Sequence, residues 1–353
     1  MGRRVLITGI GSFWGARVAQ ALERDPDVEL IVGLGVDTPK VPLERTEYVR
    51  ADASYSILSR LVRATQVDTI VHTHLVVDAS QLPQREIHEI NVIGTMNLMA
   101  AASAPASTVR NLVVKSSTMV YGASSSDPTW FREDAPPHGP PSTRIQQSLD
   151  EVEGYVRDFA ADNPHVDLAL LRFCKVLGDE LVTPISRALQ LPLVPKIAGF
   201  DPRFQFVHEH DVIRAIVFAL RHHLSGVYNV AGDGVMPWSE VVALCGKRTA
   251  PISPWGTGIV GRALRPVGID LPDELLSLLR YGRGVDNQRL KDLGFEYEYT
   301  TAATVKAFAE AMRLHDTVGP RRPEFRYERD VETFFRHSPA VVREPESTSS
   351  DQD

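Results

Sequence analysis

The sequence predicts a doubly wound α/β fold: a parallel sheet covered by helices on both faces, with a smaller C-terminal lobe. Three observations carry this expectation. Short β-branched apolar runs alternate with longer amphipathic runs through the first half of the chain. A glycine cluster lies directly between the first apolar run and the first amphipathic one. After about residue 180 the rhythm gives way to shorter elements broken by proline, glycine and aromatic residues. Strands separated by helical patterns build βαβ units. Their parallel sheets are buried on both faces and bind ligands beyond the carboxyl ends of the strands.

Taken in order, "RVLITG" (4–9), "VELIVGLG" (28–35), "VDTIVHTH" (67–74), "RNLVVKSS" (110–117) and "VDLALLRF" (166–173) read as buried strands, and "VRAD" closes a further one at Asp52. Helical periodicity occupies 15–24, 54–65, 84–104 and 142–161. In the second half, "FQFVHEHDVIRAIVFAL" (204–220) and "GVYNVAGDG" (226–234) return to the main sheet, while "PDELLSLLRYG" (272–282) and "TTAATVKAFAEAMR" (300–313) belong to the lobe. The expected organisation is a sheet domain over 1–180 joined by 204–232, a lobe over 181–316, and an extension over 317–353. The extension ends in "REPESTSSDQD", a polar acidic run expected to be disordered.

A chain of 353 residues suits one large α/β domain with an appended lobe. The net charge of −7 argues against nucleic acid as a partner, since such proteins present a basic face. Cys174 and Cys245 lie far apart inside apolar runs and in no metal-ligand spacing, so they read as small buried hydrophobes of a reducing cytoplasm. "RRVLITG" runs straight into a strand, so no signal peptide is expected, and no apolar run approaches the roughly 20 residues that span a bilayer.

"TGIGSFWG" (8–15) is the most informative stretch. Glycines between a first strand and a first helix let the chain turn tightly and let a pyrophosphate approach the helix N-terminus, where free N–H groups and the dipole favour anions. Thr8, Gly9, Gly11, Ser12, Phe13, Trp14 and Gly15 are therefore the candidate cradle of a Rossmann-type dinucleotide site. The bland alternative is a tight βα turn with no ligand.

The turn resembles the Thr-Gly-x-x-Gly-x-x-Gly opening of the extended short-chain dehydrogenase/reductases, the NAD-dependent epimerase/dehydratase group of UDP-glucose 4-epimerase type. Thr8, Gly9 and Gly15 fall in register, Ser12 stands at the middle glycine, and Gly11 comes one place early. The resemblance continues through "NVIGTMNLMAAA" (91–102), "SSTMVYG" (116–122), "LRFCKVLG" (171–178), "FVHEHDVIRAI" (206–216), "GVYNVAG" (226–232) and "VDNQRLKDLGFEYEYT" (285–300), so it covers about residues 4–312. It implies NAD or NADP as cofactor, a nucleoside diphosphate sugar as substrate, and a homodimer formed through the helices at 84–104 and 142–161.

The resemblance also assigns further cofactor contacts. Asp37 follows the second strand by two residues, either curling back to the adenosine ribose or serving as an ordinary loop aspartate. No arginine follows it to meet a 2′-phosphate unless Lys40 does, which favours NAD over NADP. Asp52 stands beside the adenine, caps the following helix, or does both. His72 occupies the segment where the chain passes the cofactor, with His74 replacing a small residue; two histidines on one strand do not make a zinc site. Asn91 opens the matching helix.

Hydride chemistry in this family uses a serine, a tyrosine and a lysine four residues after the tyrosine, where the cation favours phenolate. Ser117 matches the serine. In "RIQQSLDEVEGY" (144–155), Ser148 and Glu153 fix the register, which leaves Ile145 at the tyrosine and Leu149 at the lysine. None of the nine tyrosines has a lysine four residues on, so no slip in register restores the pair. Lys175, at a family asparagine, is a candidate base, or a contact for phosphate, carboxylate or solvent. His208 and His210 are further candidates that also read as a strand end and a helix cap. Arg262, Arg265 and Arg283 either meet a diphosphate or are solvated. Two functions follow: an epimerase or dehydratase with an altered proton relay, or a dinucleotide-binding scaffold or sensor without catalysis. A third, a structural partner acting through 315–336, rests only on mixed charge and aromatics.

Overall fold

The computed structural model describes residues 2–78, 82–135, 139–254, 273–318 and 330–342. The chain opens with β1 (Arg3–Thr8), α1 (Phe13–Glu23), β2 (Val28–Gly35), β3 (Thr46–Arg50), α2 (Tyr55–Thr65) and β4 (Thr69–His72). There follow α3 (Gln84–His88), a π turn (Glu89–Ile93), α4 (Gly94–Ala102), β5 (Asn111–Ser117), a 3₁₀ turn (Thr118–Tyr121), α5 (Arg144–Asp162) and β6 (Asp167–Phe173). The helical pattern expected over 84–104 is thus broken by one wide turn at Glu89–Ile93.

The second half holds β7 (Lys175–Leu177), α6 (Pro184–Gln190), β8 (Leu193–Ile197), β9 (Arg203–Phe204), β10 (Phe206–His208), α7 (Glu209–Arg221) and β11 (Gly226–Val230). It closes with β12 (Met236–Pro237), α8 (Trp238–Leu244), β13 (Arg248–Ile252), α9 (Asp273–Tyr281), α10 (Gln288–Asp292), α11 (Thr301–Val318) and α12 (Val331–His337).

Seven strands form one parallel sheet in the order β11-β6-β5-β4-β1-β2-β3. The chain leaves β1 toward β2 and β3, then returns on the other side to β4. That reversal opens a crevice at the carboxyl ends of β1 and β4, where such sheets bind ligands. Alternation along each strand feeds two cores. On β1, Val5 and Ile7 pack on the face shared with α1 and α7, and Leu6 packs on the face shared with α2, α4 and α5. Of the 204–232 segment only β11 joins this sheet; β10 pairs instead with β7, and it carries α7 back onto α1. A third core, around Trp238, Phe204 and Phe206, holds the lobe elements together.

Part of the C-terminal extension belongs to the main core. Asp330 bridges to Arg50 at the end of β3, and Phe334 and Phe335 of α12 are buried with Val49 and Leu58. Arg60 lies 3.7 Å over the Phe335 ring, and the Val342 amide donates to the Ala64 carbonyl at 2.7 Å. Phe334 and Phe335, two of the aromatics that suggested a partner-binding segment, therefore cover the edge strand of the sheet itself. The acidic tail from 343 onward lies outside the described residues.

Candidate functional site

The β1–α1 turn is shaped by close backbone approach. A Cβ on Gly15 would lie 2.4 Å from the Gly9 carbonyl oxygen, and one on Gly11 would lie 2.2 Å from that of Asp37. Gly9 has φ +75°, in the left-handed region that glycine enters freely. Ser12 caps α1 by accepting from the Gly15 amide at 3.2 Å. The Phe13 and Trp14 amides at the helix mouth have no backbone partner among the described residues.

Behind the turn runs a buried polar chain. Thr8 Oγ1 and His72 Nδ1 are 2.6 Å apart, His72 Nε2 and Thr95 Oγ1 are 3.0 Å apart, and Thr95 donates to the Asn91 carbonyl at 2.5 Å. Asn91 clamps the Val76 amide and carbonyl at 2.7 and 2.8 Å and reaches Ser148 Oγ at 3.1 Å. Burial pushes the His72 imidazole down to about 3, so it is neutral at working pH. Thr8, His72 and Asn91 are all buried and hold the crevice wall from behind. His74 packs directly against Gly9, and burial lowers its pKa, with the Asp37 carboxylate opposing the shift. Asp37 and Asp52 are exposed at the crevice rim. Asp52 accepts from the Ser54 amide at 3.2 Å, just ahead of α2.

A cavity of about 240 Å³ opens where the ends of β5, β6 and β7 meet the turn. Trp14, Lys115, Ser117, Phe173 and Lys175 all line it. The Trp14 and Phe173 rings are parallel, with centroids 6.4 Å apart, and Lys115 Nζ lies 5.8 Å from the Trp14 ring. Ser117 sits opposite Phe173 in the β5–β6 register, accepts from the Met119 amide at 3.2 Å, and caps the 3₁₀ turn. Burial holds Lys115 down at about 8. Burial, then the nearby Arg283 charge, hold Lys175 at about 7. Burial drives the Cys174 thiol up, so it stays protonated and inert.

The α5 side of the site is built differently. Ile145 and Leu149 are buried in an apolar cluster with Ile87 and Met119, edged by Val76 and Val77. One turn on, Glu153 is wholly buried, accepting from Ser116 Oγ at 2.7 Å and from Arg172 at 2.5 Å. Arg172 also donates to Tyr121 Oη at 2.7 Å, and Tyr121 donates to Asn229 at 2.8 Å. This network locks the β5 end that carries Ser117.

The sequence model described as the NAD dependent epimerase/dehydratase family matches residues 5–231, well over half of the chain. The chain belongs to the NAD-dependent epimerase/dehydratase family. Uncharacterized proteins of Mycobacterium tuberculosis and Mycobacterium bovis are 30% identical to it over 328 residues, covering 90% of this chain and 86% of theirs. Three solved structures share the fold with TM-scores of 0.67. UDP-glucuronic acid 4-epimerase from Bacillus cereus, in complex with NAD, is 16% identical and covers 88% of this chain and 99% of its own. dTDP-glucose 4,6-dehydratase from Bacillus anthracis, in complex with NAD, is 18% identical at 90% and 98% coverage. MoeE5, in complex with UDP-glucuronic acid and NAD, is 21% identical at 88% and 99% coverage.

In this epimerase/dehydratase-family chain, the sequence candidates separate by position. Gly9, Gly11, Ser12, Phe13, Trp14 and Gly15 form the turn itself, and Trp14, Ser117 and Lys175 meet in one cavity. His208 caps α7 and stacks on Tyr299, and His210 lies 3.0 Å from Glu298; neither lines the cavity. Arg262 and Arg265 lie outside the described residues. Arg283 is buried rather than solvated, and its Nε and Nη1 have no hydrogen-bond partner among the described residues. Sequence reasoning also missed Lys115, although a lysine inside the apolar run "NLVVKSS" was a signal.

Proposed function

We propose that this chain binds NAD and carries out epimerase/dehydratase-type hydride chemistry on a nucleotide-sugar-type small molecule, with the proton handled by Lys175 in place of a tyrosine–lysine pair. One observation carries this reading: Ser117 and Lys175 line the same cavity as Trp14 of the glycine turn. The turn fits a dinucleotide. Side chains at Gly11 and Gly15 would collide with backbone, and the Phe13 and Trp14 amides point free of the protein's own carbonyls. Those two amides and Ser12 would hold a pyrophosphate, and Asp37 and Asp52 the adenosine end. The NAD complexes of the solved neighbours, and the lack of an arginine after Asp37, favour NAD over NADP.

When bound, NAD supplies a hydride acceptor. The chain's own residues supply the rest. Ser117 Oγ orients a substrate hydroxyl, held in place by the Ser116–Glu153–Arg172 network beneath it. Lys175 Nζ, neutral for much of the time at pH 7, takes the hydroxyl proton and later returns it. The apolar walls exclude water from that exchange. The UDP-sugars held by the solved neighbours are the first substrates to test. The half-exposed Ile93, Met96 and Tyr155 suit a homodimer contact, for which sedimentation of the purified chain is the test.

The second reading, dinucleotide binding without catalysis, is favoured by the sealed apolar cluster of Ile145 and Leu149. Calorimetry with NAD, followed by absorbance of reduced nicotinamide on adding UDP-glucose or UDP-glucuronic acid, separates the two. Turnover that falls roughly 10²–10⁴-fold in Lys175→Met and in Ser117→Ala supports the enzyme. NAD binding with no hydride exchange on either substrate supports the scaffold.

A further inference from the structure

The chemistry of the cavity walls points to a narrower ligand class than the fold does. Lys115 and Lys175 line the inner end, and neither forms an ion pair among the described residues. Lys115 Nζ reaches only the Leu75 carbonyl, at 3.2 Å, among those residues. Arg283 does not line the cavity, but its charge lies close enough behind the wall to oppose that of Lys175. It donates through Nη2 to the Gly122 carbonyl, while its buried Nε and Nη1 have no partner among the described residues. Two carboxylates also line the cavity: Asp78, which Arg187 holds at 2.7 Å, and Glu274. Unsatisfied buried donors beside unpaired cations are costly unless an anion meets them.

Away from that end the wall is mostly hydrocarbon, interrupted by Thr183 and the two carboxylates. Val76, Val77, Met119, Leu181, Ile185 and Leu278 offer no side-chain donor or acceptor. A hexose placed there would strip water from its hydroxyls without replacing those bonds. An alkyl or acyl chain would instead gain from leaving water. The volume of about 240 Å³, at roughly 30 Å³ per water-sized group, holds about eight carbons. The loop that carries Leu181 is fixed for this purpose. Glu209 accepts from the amides of Asp179, Glu180 and Leu181 at 3.0, 3.2 and 3.0 Å.

We propose that this cavity binds an amphipathic anion: a carboxylate or phosphate head at Lys115 and Lys175, and an apolar chain along the Val76–Leu278 wall. The proposal rests on the dinucleotide reading for its place in a reaction, and on the cavity alone for binding. The test uses the full-length protein. NAD is titrated first by calorimetry, then octanoate, octyl phosphate, octanol and UDP-glucose, with tryptophan fluorescence as a second readout. The expected result is that octanoate or octyl phosphate binds at least tenfold more tightly than octanol, and the stronger of the two names the head group. Lys175→Met removes that preference and keeps octanol binding. If this variant melts early by circular dichroism, Lys175→Gln takes its place. The proposal is overturned if octanol binds as tightly as the anions, if the lysine variants leave the preference intact, or if UDP-glucose binds and no octyl ligand does. Octyl anions that bind where NAD gives no heat would sink the dinucleotide reading and leave this one standing. NAD heat without octyl binding does the reverse.

Discussion

The β1–α1 turn and the start of α5 flank the same reaction space, and they are built in opposite ways. The turn leaves the Phe13 and Trp14 amides without a backbone partner among the described residues, and glycines at 9, 11 and 15 let the backbone come close to its neighbours. The start of α5 turns inward. Ile145 and Leu149 pack against Met119, Val76 and Val77, and those three residues form the cavity wall in front of them. One flank is held open for a ligand, and the other is closed by hydrocarbon. The titratable groups near Ser117 are instead Lys115 on β5 and Lys175 on β7. On the proposed function, the comparison separates cofactor binding from proton transfer, with different residues of one fold serving each.

The comparison is broken most severely by removing the network that anchors α5 to the end of β5. Glu153→Ala leaves the Arg172 guanidinium buried without its carboxylate, at a cost of about 3–5 kcal/mol. Thermal or urea unfolding should show a large loss of stability, while Arg157→Ala, the half-exposed neighbour of the same carboxylate, should cost at most about 1 kcal/mol. The second largest effect falls on the open flank alone. Gly15→Val places a side chain 2.4 Å from the Gly9 carbonyl and forces the turn apart. NAD affinity by calorimetry should fall about a hundredfold, near 3 kcal/mol. Unchanged affinity would mean that the turn does not hold the dinucleotide.

These expectations rest on features of unequal visibility in the sequence. The glycine turn was legible because its constraint is local: only glycine tolerates such backbone approach, and it leaves its letter in the chain. The strands were legible for the same reason, since burial on both faces writes an unbroken β-branched run. What was hidden depends on residues far apart. Nothing in "SLDEVEG" announces that Glu153 meets Arg172 across the helix–sheet boundary. Lys115 read as one polar residue in a strand, and only the packing of Trp14 and Phe173 around it makes it part of a cavity wall. Phe334 and Phe335 read as a tail because no periodicity in the chain names the sheet edge they cover.

The closed flank supplies the third prediction. Ile145→Tyr inserts a larger, polar side chain into a packed cluster, and should destabilise the protein by about 1–3 kcal/mol. It should add no turnover, because Met119 and Val76 stand between that position and the cavity. A gain in rate from this single change would reverse the comparison: α5 would then be a dormant catalytic flank, and the cluster merely what fills it.

The smallest and most discriminating effect is a pH profile. Burial and Arg283 hold Lys175 at about 7, against an ordinary lysine value of 10.5, while Glu274 and Asp78 pull weakly the other way. With the neutral amine as the proposed base, turnover should rise about tenfold per pH unit below 7 and level off above it. Affinity for an anion should move oppositely, falling as pH rises through the same value. Stability follows a different window. Between about pH 7 and 10.5 the unfolded chain holds a proton that the folded site has released, so the unfolded state binds more protons and stability rises with pH; below 7 both states are protonated and this contribution is flat. Lys175→Met should abolish the rate and affinity midpoints near 7 and remove the part of the stability rise that begins at pH 7, leaving the part from Lys115 above about 8. A midpoint one unit higher, near 8, would move the base to Lys115, and a rate that climbs smoothly to pH 10 in the unaltered protein would place it at neither lysine.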